Sequence, residues 1–306
     1  MKTKRILLLF IFISSVVFSQ TPDPNAWALQ PWMQVVGYKG ENLGSSVGFI
    51  GKIGDSTQIS VGDVHGIRMY RIESPTDTVP RFYFSGLNSA VGDFNGDGIE
   101  DLVVGGDPLK IYLGKAPGVF DTTAFFTKYP EPNSDEQVYL NHIAVGKING
   151  DKYDDLVLTD VYYPNDYFYG RVYVFFGGIK MDTVANYILT GSHNEALFGY
   201  GIATGDLNND GFDDIIVKGY DQSIRSPSGP LSYAYIKIFL GGNTIDTTVW
   251  KYIKGGDNPG RGVASFDVNG DGVKDLLWTS ANDSNFCVNV HLSRNGNKIH
   301  YHRLCF

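Results

Sequence analysis

Apolar residues in this chain come in short unbroken runs, and four of these runs recur at regular spacing. Leu102–Val104, Leu156–Leu158, Ile215–Val217 and Leu276–Trp278 each follow a dense cluster of Asp, Asn and Gly. A run of three apolar residues without alternation predicts a short strand buried on both faces. A second run follows in "KIYLG", "RVYVFFGG" and "YIKIFLGG", each ending on glycine, and a third in "TTAFFTKY", "TVANYILTG" and "TVWKYIKGG". A further short run precedes each acidic cluster, most clearly in "FGYGIATG". The pattern therefore predicts units of four short strands, with β and not helical flanks around the clusters.

The clusters are copies of one another. "GDFNGDGIEDLVVGG" at Gly92 returns as "GKINGDKYDDLVLTD" at Gly146, "GDLNNDGFDDIIVKG" at Gly205 and "FDVNGDGVKDLLWTS" at Phe266. Their first positions are Asp93, Lys147, Asp206 and Asp267, at intervals of 54, 59 and 61 residues. A fifth, decayed copy stands ahead of them in "LGSSVGFIGKIGDSTQISVGD" at Leu43. Four strands per unit at this period describe a propeller blade. The expected fold is all-β, a β-propeller of four-stranded blades, with five units near residues 38–85, 86–130, 138–191, 197–255 and 258–306. Residues 26–37 are expected to add an outer strand that protects a sheet edge.

At these residues a resemblance enters. "LFGYGIATGDLNNDGFDDIIVKGY" with "YIKIFLGG" resembles the FG-GAP repeat of the integrin α-subunit β-propeller, and "FDVNGDGVKDLLW" resembles the related VCBS-type repeat of secreted bacterial proteins. The resemblance extends from about Gln34 to the C-terminus. It implies a propeller with calcium held in blade hairpins, and it implies no single activity. The family usually closes with seven blades, so five units leave two arrangements open: a closed five-bladed ring, or an incomplete or degenerate seven-bladed one.

The residues support a cation cage independently. Numbered from Asp93, side-chain oxygens stand at positions 1, 3, 5 and 9 (Asp93, Asn95, Asp97, Asp101), and Ile99 at position 7 offers its carbonyl. Asp206, Asn208, Asp210, Phe212 and Asp214 repeat the set, as do Asp267, Asn269, Asp271, Val273 and Asp275. Hard oxygens on alternate residues of a tight turn suit Ca²⁺, which takes six to eight of them at about 2.3–2.6 Å. Zinc would call for His or Cys, and neither lies in these loops. Three calcium sites are expected, each with the position-7 side chain packed into the core. An EF-hand would need an acid at position 12, where Val104, Val217 and Trp278 stand instead. The second loop departs from the pattern. Lys147 occupies position 1 and Lys152 replaces the glycine, so this loop is expected to carry no metal, with the Lys147 ammonium set among Asn149, Asp151 and Asp155.

The N-terminus reads as a secretory leader over residues 1–20, ahead of a single propeller domain over 21–306. Lys2, Lys4 and Arg5 precede an apolar run from Ile6 to Phe18, followed by Ser19 and Gln20. The whole chain carries a net charge of −8, and loss of the three basic residues with the leader leaves about −11. That balance argues against a nucleic-acid partner, which needs a basic footprint. Of two cysteines, Cys287 and Cys305, the sequence leaves two readings: a bond across a hairpin turning near Asn295-Gly296, or two separate thiols.

No nucleophile elbow, P-loop or zinc-protease motif is present. His193 and Glu195 are assigned to an inter-blade loop, and His300 and His302 to one face of the last strand. The favoured function is a secreted or cell-surface, non-catalytic binding or adhesion module for an extracellular protein or glycan, with no membrane span once the leader is removed. The alternative is a polysaccharide lyase or hydrolase acting at the propeller centre, and a third reading is a scaffold piece of a larger surface assembly. Hairpin logic places the acidic loops on one face and the loops between second and third strands on the other. On that second face Tyr162, Tyr163, Tyr167, Phe168 and Tyr169 form a candidate contact patch, with Tyr220, Arg225 and Tyr233 near it. Aromatic loops of this kind suit recognition, or pack on themselves to order a long loop.

Overall fold

The structure is a computed structural model of the 306-residue chain. It describes residues 46–53, 56–62, 66–72, 82–86, 88–116, 118–129, 142–163, 169–192, 195–221, 233–257, 262–281, 286–293 and 300–305. The leader and the strand expected at 26–37 lie outside these residues.

Every element among the described residues is a strand, and the strands form five antiparallel four-stranded sheets. The first blade comprises β1 (Ser46–Ile53), β2 (Ser56–Gly62), β3 (Ile67–Ile72) and β4 (Phe82–Phe84). The second comprises β5 (Asn88–Gly92), β6 (Asp101–Gly105), β7 (Leu109–Ala116) and β8 (Val119–Lys128). The third holds β9 (Ile143–Gly146), β10 (Asp155–Asp160), β11 (Arg171–Phe175) and β12 (Tyr187–Thr190). The fourth holds β13 (Glu195–Gly205), β14 (Asp214–Asp221), β15 (Tyr233–Phe239) and β16 (Lys251–Asp257). The fifth holds β17 (Val263–Phe266), β18 (Asp275–Ala281), β19 (Phe286–Leu292) and β20 (His300–Cys305). Glu195 thus opens a strand and does not lie in a connecting loop.

Within each sheet the strands pair in chain order. The leading strands of successive blades also adjoin, β1 with β5, β5 with β9, β9 with β13 and β13 with β17. This is the blade arrangement of a propeller, built by meander sheets packed face to face around their first strands.

The apolar runs explain the packing. In a strand, successive side chains point to opposite faces, so three apolar residues in a row serve both neighbours. Leu102 and Val104 join Ile67 and Met69 of the first blade, while Val103 joins Leu156, Leu158, Tyr173 and Phe175 of the third. Val157 packs with Ile215 and Val217 of the fourth blade, and Ile216 with Leu276 and Trp278 of the fifth. The core is therefore a series of seams between blades. Leu277 of the fifth blade occupies the place of Val103, Val157 and Ile216, yet it is only half-buried where those three are fully buried.

The fourth blade shows why a Phe-Gly pair opens its repeat. The β13–β14 register shifts between Ala196 and Gly201. Inside that bulge Phe198 is buried and meets Phe239 edge-on at 6.1 Å. Gly199 adopts φ +96°, and a Cβ there would stand 2.9 Å from Thr159 Cβ of the third blade. Only glycine tolerates both that backbone and that approach.

Polar groups are also built into the seams. Lys218 of β14 is fully buried and donates to the Thr279 carbonyl at 2.9 Å, reaching from the fourth blade into the fifth. Burial pulls its amine down to about 8. His291 of β19 is buried as well, and burial, then the nearby Lys251 charge, hold its imidazole down at about 4. Cys287 is disulfide-bonded, and the β19–β20 register sets it opposite Cys305.

Candidate metal centres

Each acidic loop joins the first strand of a blade to the second, and the four copies share one hydrogen-bond scheme. The position-3 Asn accepts from the position-5 amide at 2.9 Å in the Asp93 loop, 3.0 Å in the Lys147 loop, 3.1 Å in the Asp206 loop and 2.8 Å in the Asp267 loop. The position-5 Asp accepts in turn from the position-7 amide. The Asn side-chain amide closes the ring by donating to the second oxygen of that Asp. These are the local side-chain-to-backbone bonds that make Asp and Asn turn formers.

Position 1 is where the loops diverge. Asp93 accepts from the amides of Gly96, Asp97 and Gly98, and Asp267 from those of Gly270, Asp271 and Gly272. Asp206 accepts from Asp210 and Gly211. The amide bonds, led by Gly272, hold the Asp267 carboxyl below the usual range. Lys147 has no such oxygen. Its ammonium lies 3.2 Å from Asp154 and donates to the Lys152 carbonyl at 3.0 Å. The expected setting among Asn149, Asp151 and Asp155 is corrected accordingly. Asp155 is buried and engaged by backbone amides, so the neutralising acid is Asp154, one residue earlier.

Position 9 is the same in all four. Asp101, Asp155, Asp214 and Asp275 are fully buried. One oxygen of each accepts from the position-2 amide, namely Phe94, Ile148, Leu207 or Val268, at 2.9–3.0 Å. The other accepts from the far end of the third strand or just beyond it, at Gly114, Gly177, Gly241 or Ser293. This carboxylate ties the loop to the sheet whether or not the rest of the cluster is present. Burial pushes Asp101 and Asp155 up to about 6 and Asp214 up to about 7, against the pull of these amides; it raises Asp275 too.

The apolar plug sits elsewhere than expected. Position 2 fills the core in three loops, with Phe94, Ile148 and Leu207 buried, while Val268 is exposed. Of the position-7 residues only Val273 is buried. The Phe212 ring instead covers Gly150 of the preceding loop, and the ring of Tyr153 covers Gly96, where a Cβ would lie 2.7 Å from it. Loops of successive blades are thus stacked. Position 8, which carried no signal in the single repeat, completes the stack. Asp154 accepts from the Asp93 amide at 2.7 Å and returns its own amide to the Asp93 carbonyl at 3.0 Å. Asp213 does the same for Lys147 at 2.8 and 3.0 Å. The fifth blade has Lys274 at this place, which cannot accept.

The donor set can be judged from these contacts. His and Cys are absent from the loops, and the available groups are Asp and Asn oxygens and backbone carbonyls. That chemistry fits a hard divalent ion. Among the described residues no three His, Cys, Asp or Glu side chains converge as a ready cluster. In each complete loop the position-1 and position-5 aspartates crowd around the turn, while the position-9 aspartate is turned into the sheet.

The opposite face holds part of the aromatic patch. The Arg171 guanidinium lies over the Tyr163 ring at 3.3 Å. Tyr162 is exposed, and the Tyr169 carbonyl accepts from the Phe198 amide at 3.1 Å. Tyr220 meets Tyr200 at 5.1 Å, and Tyr200 meets His142 at 6.3 Å. His142 and Tyr200 were not in the sequence-derived patch; they enter it from just ahead of β9 and from the bulge of β13, where each repeat taken alone gives no sign of a shared surface. Tyr167, Phe168 and Arg225 lie outside the described residues, as does the side chain of Tyr233.

Residues 198–224, which hold the Phe-Gly bulge, the Asp206 loop and β14, match the FG-GAP repeat family. The chain carries an FG-GAP repeat. Its relatives are integrin-like. It is 32% identical over 143 residues to integrin alpha-5 of Xenopus laevis, a match covering 44% of this chain and 13% of that one. It is 29% identical over 170 residues to integrin alpha-IIb of Mus musculus, covering 52% and 16%. The matches thus span only a small fraction of the length of these relatives. Among solved structures it aligns with the V. cholerae biofilm matrix protein Bap1 at 13% identity and a TM-score of 0.38, over 82% of this chain and 39% of that one. No helix among the described residues is long and apolar enough to cross a membrane.

Proposed function

We propose that this FG-GAP protein is a secreted or cell-surface β-propeller, stabilised by calcium, that binds an extracellular protein or glycan without chemical turnover. The observation that carries the reading is the threefold recurrence of one oxygen-rich turn at equivalent blade corners. Asp93, Asn95 and Asp97, with their counterparts from Asp206 and Asp267, would hold the ion, together with position-7 carbonyls and a free lone pair of the position-9 carboxylates. The ion would supply positive charge between acids that otherwise repel across a single turn. Stability would then rise with free calcium by mass action, about 2.7 kcal/mol per site at a hundredfold excess over Kd. Binding belongs to the other face, where Tyr162, Tyr163, Arg171, Tyr200 and Tyr220 present rings and a guanidinium. The integrin-like relatives support an adhesion role of this kind.

The test uses the chain from residue 21 onward. Calorimetry is expected to give three calcium ions per chain and a melting temperature that falls by several degrees in EGTA. A glycan and extracellular-protein array is expected to give retention that Tyr163→Ala and Tyr220→Ala abolish. A melting point indifferent to chelator would overturn the cation reading, and cleavage of a polysaccharide on the array would overturn the non-catalytic one.

A further inference from the structure

We infer that the third blade's loop is an ion-free clamp on the first cation loop, holding residues 93–101 closed without metal while the loops at Asp206 and Asp267, defined by the same internal bonds, open readily until an ion binds. The inference rests on the cation reading above and concerns the residues that position the first site.

The clamp is assembled from four groups of the third blade. The Lys152 ammonium donates to the Gly96 carbonyl at 3.1 Å. Asp154 accepts from the Asp93 amide and donates its own to the Asp93 carbonyl. The Tyr153 ring closes over Gly96, and the Lys152 ammonium sits 4.8 Å from that ring's centre. Gly178 donates to the Phe94 carbonyl at 2.8 Å. Lys147 steadies the assembly from behind by holding both Asp154 and the Lys152 carbonyl. Both lysines that set this loop apart from the cation loops are therefore used on the neighbouring one: Lys152 touches it directly, and Lys147 orients Asp154.

Among the described residues the other two cation loops lack this support. Lys274 stands where Asp154 and Asp213 stand, and among the described residues neither the Asp206 amide nor its carbonyl is met by the next loop. The Asp267 loop belongs to the last described blade, and a Cβ at Gly270 would have nothing within 4 Å, in contrast to Gly96. Beyond their buried position-9 anchors, these loops keep only internal turn bonds, most of them solvent-exposed, and such bonds open readily. A frame fixed in advance removes ordering cost from ion binding, so the first site should differ in kind from the others.

Hydrogen exchange read by mass spectrometry separates the cases. In EGTA, peptides covering 93–101 are expected to exchange at least tenfold more slowly than those covering 206–214 and 267–275, and calcium should slow only the latter two markedly. Lys152→Ala combined with Asp154→Ala should raise exchange at 93–101 about tenfold in EGTA and leave 206–214 unchanged, and Lys152→Arg alone should retain the protection. Equal exchange of the three loops in the wild type, or an unchanged 93–101 in the double variant, would overturn the clamp. Calcium uptake is scored separately by calorimetry: its absence overturns the cation reading, while the EGTA arm still decides the clamp.

Discussion

The loops at Asp93 and Lys147 share a backbone path and differ in their charges. Both keep the Asn–Asp ring at positions 3, 5 and 7, and both bury a position-9 aspartate against two strands. One offers a complete oxygen set, and the other replaces its first acid and its sixth-position glycine by lysine. That the second loop keeps the shared form shows that the hairpin is specified by side-chain-to-backbone bonds and a buried carboxylate, not by the cluster's charge. On the proposed reading, a cation would act on a turn already defined by these bonds.

The largest expected effect falls on what the two loops share. Asp101→Ala leaves the buried amides of Phe94 and Gly114 without partners, and Asp155→Ala leaves the buried amide of Ile148 and the half-buried ones of Asn149 and Gly177. Each orphaned amide costs about 1–3 kcal/mol, so both variants should lose about 3 kcal/mol or more in urea unfolding, with EGTA present. A harmless Asp155→Ala would break the comparison, because the ion-free loop would then need another anchor.

A smaller effect should be blind to both loops. His291 lies in the seam of the fourth and fifth blades, neutral in the fold with its imidazole held near 4. The unfolded chain takes that proton first, near pH 6.5. The stability His291 contributes is complete above pH 6.5 and is lost as the pH falls through about 4. Between pH 6.5 and 5 the loss should be about 2 kcal/mol in the wild type, and absent from His291→Asn relative to its own neutral baseline. Denaturant titration at the two pH values checks this; an equal loss in the variant would assign the acid sensitivity to the carboxylates of the loops.

The smallest effect sharpens the stacking of successive loops. Gly150 and Gly270 have nearly the same backbone, φ +71° and +77°, but only Gly150 is covered by a ring, that of Phe212. Gly270→Ala should cost about 1 kcal/mol from backbone strain alone. Gly150→Ala should cost about 1 kcal/mol more, and Phe212→Leu should recover part of the excess in a double-mutant cycle of melting temperatures. Equal costs would mean that the loops are neighbours without being coupled.

Much of this was legible along the chain. Three-residue apolar runs in phase with Asp-Asn-Gly clusters predicted both-face burial, and Val103, Val157 and Ile216 divide from their flanking residues as that pattern requires. The Phe-Gly pair was visible as a motif, although its reason, the approach of Gly199 to Thr159, is a contact between blades. What the sequence left hidden has the same character. Position 8 looks like spacer in any one repeat, and Asp154 acquires its role only when the next loop is laid beside the previous one. Lys147 was expected among Asn149, Asp151 and Asp155, but Asp155 is already engaged by three amides and the ion pair falls to Asp154. The aromatic group of His142, Tyr200 and Tyr220 joins residues far apart in the chain, and no local period announces it.

The buried position-9 carboxylate has a consequence for how such repeats diverge. Because it rivets the turn to the sheet by itself, mutation can strip away the outer acids one at a time without unmaking the blade. The third blade, with its two lysines, is the kind of descendant that this tolerance permits: a corner relieved of one task and free to be recruited for another.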